Sequence, residues 1–176
     1  MSGHNKWAQI KRQKGAADKA KSNLWGKMGK RIAVESKLAK GDVNSPGLRS
    51  AIERGKKANM PKDTIDRAVA KGIAADSAAL ESITYEAYGP GGAAILIDVL
   101  TDSRNRTAQE IKHLLSKNGI ALASPGSAMW AFEKTAEGYE PKTTVELTEG
   151  ENEALMKILE EIDNYDDVEE VHTNAA

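Results

Sequence analysis

Apolar residues recur along this chain with two different periods, and the change from one to the other falls near residue 80. From Ala16 to Lys40 the pattern is helical. Leu24, Trp25, Met28, Ile32 and Ala39 share one face at 3.6 residues per turn, with Lys27, Lys30, Arg31 and Lys37 mostly opposite. Gly41 supplies a C-terminal stop. Asn44-Ser45-Pro46 then opens a second helix, with Ser45 placed as the cap and Pro46 at the first helical position, where its missing N–H costs nothing. That helix runs to Ala58, with Leu48 and Ile52 inward. Met60-Pro61-Lys62-Asp63 restarts the chain, and Ile65, Ala68 and Val69 give a third helix its apolar stripe before Gly72 ends it. Ile73 to Leu80, small and polar, reads as a linker.

Beyond the linker the period is two. Ile83, Tyr85 and Ala87 alternate with Thr84, Glu86 and Tyr88, Gly89-Pro90-Gly91-Gly92 is a turn, and Ala93 to Thr101 is the most apolar strand candidate. A loop from Asp102 to Arg106 leads to a helix over Thr107 to Lys117, closed by Asn118-Gly119. Strands are expected at Ser127 to Glu133 and Thr143 to Leu147. Thr148-x-x-Glu151 is a capping box opening a helix whose Leu155, Ile158, Leu159 and Ile162 face inward, and Val168 to His172 is the last strand. From Ala93 onward this order is βαββαβ, the ferredoxin-like arrangement, with the strand at Ile83 added to its edge. The expected fold is therefore α+β in two domains: a three-helix domain over 1–75 and a ferredoxin-like domain over 76–176.

Charge sharpens that division. The net charge of -1 averages two opposite halves: Met1 to Gly72 holds eighteen Lys plus Arg against six acids, and the remainder holds seven against twenty. The first forty residues alone carry eleven cations and two acids, with Trp7 and Trp25 among them. Such a segment either faces a polyanion or is balanced by acids elsewhere in the fold. The acidic stretch from Glu149 to Glu170 reads as a solvated face that would repel a polyanion and turn the basic domain toward it. Cysteine is absent, which excludes disulfides and thiolate chemistry. Without an apolar run of membrane-span length, a soluble cytoplasmic protein with no membrane partner is expected.

The cations are the candidate chemistry. Lys6, Lys11, Arg12, Lys14, Lys19, Lys21, Lys27, Lys30 and Arg31 would release counterions by neutralising phosphates, and Trp7 would stack on exposed bases. Met1 to Lys14 is weakly periodic and reads as an extended or partly ordered arm, whereas Trp25 sits on the apolar stripe and reads as core. The competing reading is a solvated face, or one paired with the acidic domain. Arg104, Asn105 and Arg106 are secondary candidates, since a loop leaving a central strand is a usual place for function. Equally, Asp102 could tie the arginines down and Thr107 could cap the helix; both readings stay open. Gly89 to Gly92 matches neither GxGxxG nor a P-loop. His4, His113 and His172 lack companions at metal-ligand spacing, and no nucleophile or carboxylate pair stands out. No enzyme activity, metal, cofactor or small-molecule substrate is expected.

The opening Gly3-His4-Asn5-Lys6-Trp7-Ala8-Gln9-Ile10-Lys11, the Ala58-to-Ile65 segment, Tyr88-to-Gly92, Leu100-to-Thr107 and Pro141-to-Val145 resemble, in order, the motifs of the YebC/PmpR family, which includes mitochondrial translational activators of cytochrome c oxidase. Members have a helical N-terminal domain and two further α/β domains, one inserted in the other. Here Phe132-Glu133 passes to Pro141-Lys142 within a few residues, so the chain resembles a short form lacking the insertion. The resemblance implies a non-enzymatic nucleic-acid-binding factor in gene expression. Family members have been described as DNA-binding transcriptional regulators and have also been associated with ribosomes and relief of stalled translation, notably at proline runs. Ribosomal RNA, tRNA or the ribosome is the expected partner, and promoter DNA the alternative. An arm of Lys with interleaved Trp suits irregular RNA surfaces, and no helix-turn-helix signature is recognisable.

Overall fold

The computed structural model describes Trp7 and residues 18–77, 79–135 and 138–176, the side chains of 18–21 excepted. It divides into a helical unit, Ala17–Glu81, and an α/β unit, Ser82–Ala176, to which Trp7 also belongs. The class is the expected α+β, three helices followed by a unit of sheet and helices.

In the helical unit α1 (Asp18–Leu38), α2 (Pro46–Lys57) and α3 (Lys62–Ile73) follow the apolar stripes. Gly41 closes α1 as expected, at φ +82°, its N–H donating to the Ser36 carbonyl at 2.9 Å. Ser45 does occupy the position before α2, but its side chain makes no capping hydrogen bond, so Pro46 carries the start. The core is small, with Ile32 and Leu48 fully buried and Met60 and Ile65 nearly so. Gly72 does more than stop α3. It lies inside the helix, where a Cβ would collide with the Ala33 carbonyl oxygen, so the absent side chain lets α3 approach the backbone of α1. Buried Ser36 fastens the same contact, its Oγ donating to the Val69 carbonyl at 2.7 Å.

The α/β unit is built on β1 (Glu81–Tyr88), β2 (Ala94–Thr101), β3 (Leu122–Ala123) and β6 (Val168–Thr173), in the spatial order β3-β1-β2-β6. Both faces of β2 are covered. Ile95, Ile97 and Val99 pack under α4 (Arg104–Lys117) and α5 (Glu149–Asp163), while Ala94 and Leu96 meet Ala128, Ala131 and Phe132 on the other side. This explains why β2 is apolar on both faces, interrupted only by Asp98 before it ends at Thr101. The capping box at Thr148 and Glu151 forms in full and opens α5.

The path through the sheet departs from the expected βαββαβ order at several points. β1 is an interior strand: the short turn at Pro90–Gly92 returns the chain beside it as β2, and β3 pairs antiparallel along its other edge, Glu86 opposite Ala123. The strand expected at Ser127 begins only at Phe132, where β4 (Phe132–Thr135) pairs with β5 (Gly138–Pro141) as a separate two-stranded sheet. The preceding residues wrap instead around the buried carboxylate of Glu86, which accepts from the amides of Gly126, Ala128 and Met129 at 2.6, 2.7 and 2.8 Å. The strand expected at Thr143 to Leu147 reduces to one bridge, Val145 to Ala175. Asn174 substitutes for a ladder there, its side chain accepting from the Ala94 N–H at 2.7 Å and donating to the Thr143 carbonyl at 2.9 Å.

Candidate nucleic-acid interface

The expected arm is mostly outside the described residues: Lys6, Lys11, Arg12 and Lys14 all fall there. Trp7 is described, and it corrects the sequence reading. Only 4 % exposed, it belongs to the same buried α/β core as Ile97 and Leu159, so its ring is unavailable for stacking on a base. Burying an indole in an apolar core outweighs whatever its cationic neighbours in sequence suggest. Lys19 and Lys21 lie on α1, their side chains outside the description.

Lys27, Lys30 and Arg31 continue along α1, half-buried rather than fully exposed, and Arg31 pairs with Glu35 one turn on at 3.5 Å. Trp25 is part of the helical packing as expected from its stripe, with its indole N–H donating to the Ala58 carbonyl at 3.0 Å. Further cations lie on the other helices. Arg49, Lys56, Lys57, Lys62, Arg67 and Lys71 are exposed. Arg67 and Lys71 share one face of α3 with Thr64 and, with Lys30 of α1, line a groove of about 540 Å³. The sequence reading passed over these two, although their i, i+4 spacing off the apolar stripe was a usable signal.

On the α/β unit, α4 begins three residues earlier than expected, so Arg104, Asn105 and Arg106 form its first turn. Arg104 and Asn105 are exposed. Arg106 is clamped: Nη2 donates to Asp102 Oδ1 at 2.9 Å and to Asp167 Oδ2 at 3.0 Å. Both bonds, Asp167's first, push the guanidinium further above its already high ordinary pKa. Asp167 Oδ2 also meets the buried Thr107 hydroxyl at 2.8 Å and Tyr165 OH at 3.3 Å. Thr107 therefore does not cap the helix; it links strand, helix and the loop before β6. The two acids sit where they offset the cost of a cation in a helix's first turn.

Two other polar features belong to the sheet. His172, 2 % exposed, places Nε2 3.1 Å from Asp98 Oδ2, whose partner oxygen accepts from Thr84 at 2.6 Å. Trp130 is 56 % exposed, its N–H donating to Tyr88 OH at 2.9 Å, while Tyr88 in turn donates to the Ser127 carbonyl. Among the described residues no group of three or more His, Asp or Glu could hold a metal ion, and no helix is long and apolar enough to cross a membrane.

The combination is a basic helical unit joined to an acidic unit in which a four-stranded sheet carries two helices. Comparison with known proteins gives this class its family: the chain belongs to the TACO1/YebC family, matching the TACO1/YebC protein N-terminal domain over residues 5–75 and the TACO1/YebC second and third domain over residues 80–139. It is 50 % identical over 148 residues to a "probable transcriptional regulatory protein" of Petrotoga mobilis, covering 83 % of this chain and 59 % of that protein. The chain thus spans about three fifths of that relative's length. A protein of the same name from Thermomicrobium roseum is 37 % identical over 241 residues, covering all of this chain and 96 % of the relative. With 176 residues here, that relative carries internal sequence this chain lacks, as expected for a short form. The crystal structure of a conserved hypothetical protein from Aquifex aeolicus superposes with TM-score 0.79 at 26 % identity, over 90 % of this chain and 91 % of that one.

Proposed function

We propose that this chain is a non-enzymatic regulator of gene expression that binds nucleic acid through its helical unit and acts in translation, on ribosomal RNA, tRNA or the ribosome. The observation that carries the reading is the segregation of charge. Residues 17–81 hold fourteen cations against eight acids, residues 82–176 hold seven against eighteen, and residues 1–16 add four cations and no acid. A polyanion is drawn to the first unit and repelled by the second, which orients the protein as it binds. Lys27, Lys30 and Arg31 serve as phosphate contacts, joined by Arg67 and Lys71; Lys6, Lys11, Arg12, Lys14, Lys19 and Lys21 extend the same basic segment. Arg104 and Asn105 are secondary contacts, while Arg106 is held by Asp102 and Asp167. Relief of stalled translation, as at proline runs, is the specific activity this reading assigns.

The relatives' designation as probable transcriptional regulatory proteins favours a second reading, binding to promoter DNA. Co-sedimentation with ribosomes in sucrose gradients, run beside promoter-duplex binding across a salt series, separates the two. Association with ribosomes that is lost as salt rises is the expected result. Tight, site-specific duplex binding that survives rising salt, without ribosome association, would sink the translation reading.

A further inference from the structure

The described residues of the helical unit leave a groove open on its surface. It lies between α1 and α3, holds about 540 Å³, and has Gly26, Gly29 and Ala33 in its floor with Trp25 and Met60 beside them. That volume is within the range of about 300–1,000 Å³ usual for sites that enclose small molecules or single groups.

The two floor glycines are the first clue. Glycine inside a helix costs roughly 1 kcal/mol relative to alanine, and is usually retained where another backbone must come close. Gly72 and Gly55 have such reasons, since a Cβ would meet the Ala33 carbonyl at the first and crowd Met60 Sδ at 3.2 Å at the second. At Gly26, which is exposed, a Cβ meets nothing within 4 Å among the described residues, and at Gly29 it meets only Met60 Cε at an ordinary 3.8 Å. Packing among the described residues therefore leaves room for side chains at both positions.

The second clue is independent and concerns charge. Among the described side chains lining the groove, the titratable ones are Lys30, Arg67 and Lys71, and none of them is an acid. Asp66, on the same helix, faces a different hollow beside Val43 and Ile52. Apolar lining beside Arg67 and Lys71 is complementary to a group that is flat and apolar at one end and anionic at the other.

We propose that the groove receives an unstacked nucleotide of single-stranded RNA, its base laid on the Gly26–Gly29 floor and its flanking phosphates at Arg67 and Lys71. This rests on the nucleic-acid reading above and deepens it, because duplex RNA keeps its bases stacked and cannot present one to a groove, whereas loops and single strands can. Gly26 and Gly29 then act as specificity-determining positions, and the cations as phosphate contacts.

The test uses the full chain and a fluorescein-labelled oligo-adenylate, compared with an RNA duplex of equal length by anisotropy at low salt. Gly26→Ala and Gly26→Leu fill the groove in two steps without altering charge, and circular dichroism melting checks that each is folded. The expected result is a stepwise loss for the single strand, about tenfold at Gly26→Leu, with duplex affinity unchanged. A folded Gly26→Leu that binds the single strand as the parent does overturns the groove proposal and leaves the nucleic-acid reading standing. A parent that binds neither RNA overturns both. A poly-glutamate peptide that displaces the oligonucleotide from the parent but not from Gly26→Leu would assign the groove to an acidic protein partner and overturn the nucleotide.

Discussion

Arg67 and Arg106 have the same local sequence setting, an arginine four residues after an aspartate near the start of a helix, and the fold gives them opposite work. In the helical unit Arg67 leaves the Asp63 carboxylate aside; its Nε donates to the Asp63 carbonyl at 3.3 Å and the side chain stands at the rim of the groove. In the α/β unit Arg106 meets the Asp102 carboxylate and also Asp167, sixty-one residues away in sequence. The distant acid decides the matter, since it anchors the guanidinium to the buried hydroxyls of Thr101 and Thr107 as well. Arg106 is thereby held by two carboxylates, whereas Arg67 keeps its guanidinium at the surface of the groove.

The same contrast extends beyond arginine, because the α/β unit uses its polar side chains as internal fasteners and the helical unit turns most of its own outward. Glu86 is the strongest fastener. It is 4 % exposed and binds three amides of the loop between β3 and β4. Glu86→Ala strands those three N–H groups and should destabilise the protein by about 3–4 kcal/mol in urea unfolding. Nucleic-acid affinity of the folded protein should stay unchanged. A loss in affinity without a loss in stability would break the division between the units.

Exchanging the two arginines one at a time tests the comparison directly. Arg67→Gln should keep stability within about 0.5 kcal/mol, weaken RNA binding and reduce the slope of log affinity against log salt by about 1. Arg106→Gln should do the reverse, lowering the urea midpoint while leaving that slope intact. Equal effects of both on binding would mean that Arg106 contacts phosphate in spite of its clamp.

Local signals explain which parts of this structure the sequence disclosed. The three helices, the turn at Gly89 to Gly92, the most apolar strand and the Thr148 capping box all depend on neighbours within a few residues, and each is observed. What escaped depends on distant partners. The interior place of β1, the loop around Glu86 and the replacement of a strand by Asn174 follow from contacts made across 31 to 80 residues. At the candidate site, Trp25 was legible because it lay on a stripe, and Trp7 was not, because the core that buries it is formed by residues beyond position 86. Arg67 and Lys71 were legible in principle, since their spacing alone puts them on one face.

The smallest effect expected concerns a fastener on the surface, where the comparison between units should fade. Glu161 of α5 accepts from Lys117 Nζ at 2.6 Å and from Asn118 Nδ2 at 2.9 Å, joining α5 to the end of α4. Those two bonds, Lys117's first, hold its carboxyl below the usual glutamate range. A carboxyl depressed on folding adds stability that is fully present above its unfolded pKa, about 4.3, and that is lost as pH falls through the lower, folded value. The difference in urea midpoint between the parent and Glu161→Gln should therefore be constant from neutral pH down to about 5, then close at more acid pH. Lys117 is 63 % exposed, so solvent and salt screen the pair, and the difference should shrink further in high salt. A gap that instead widens as the pH falls would reverse the sign and show that the carboxyl is held protonated in the fold.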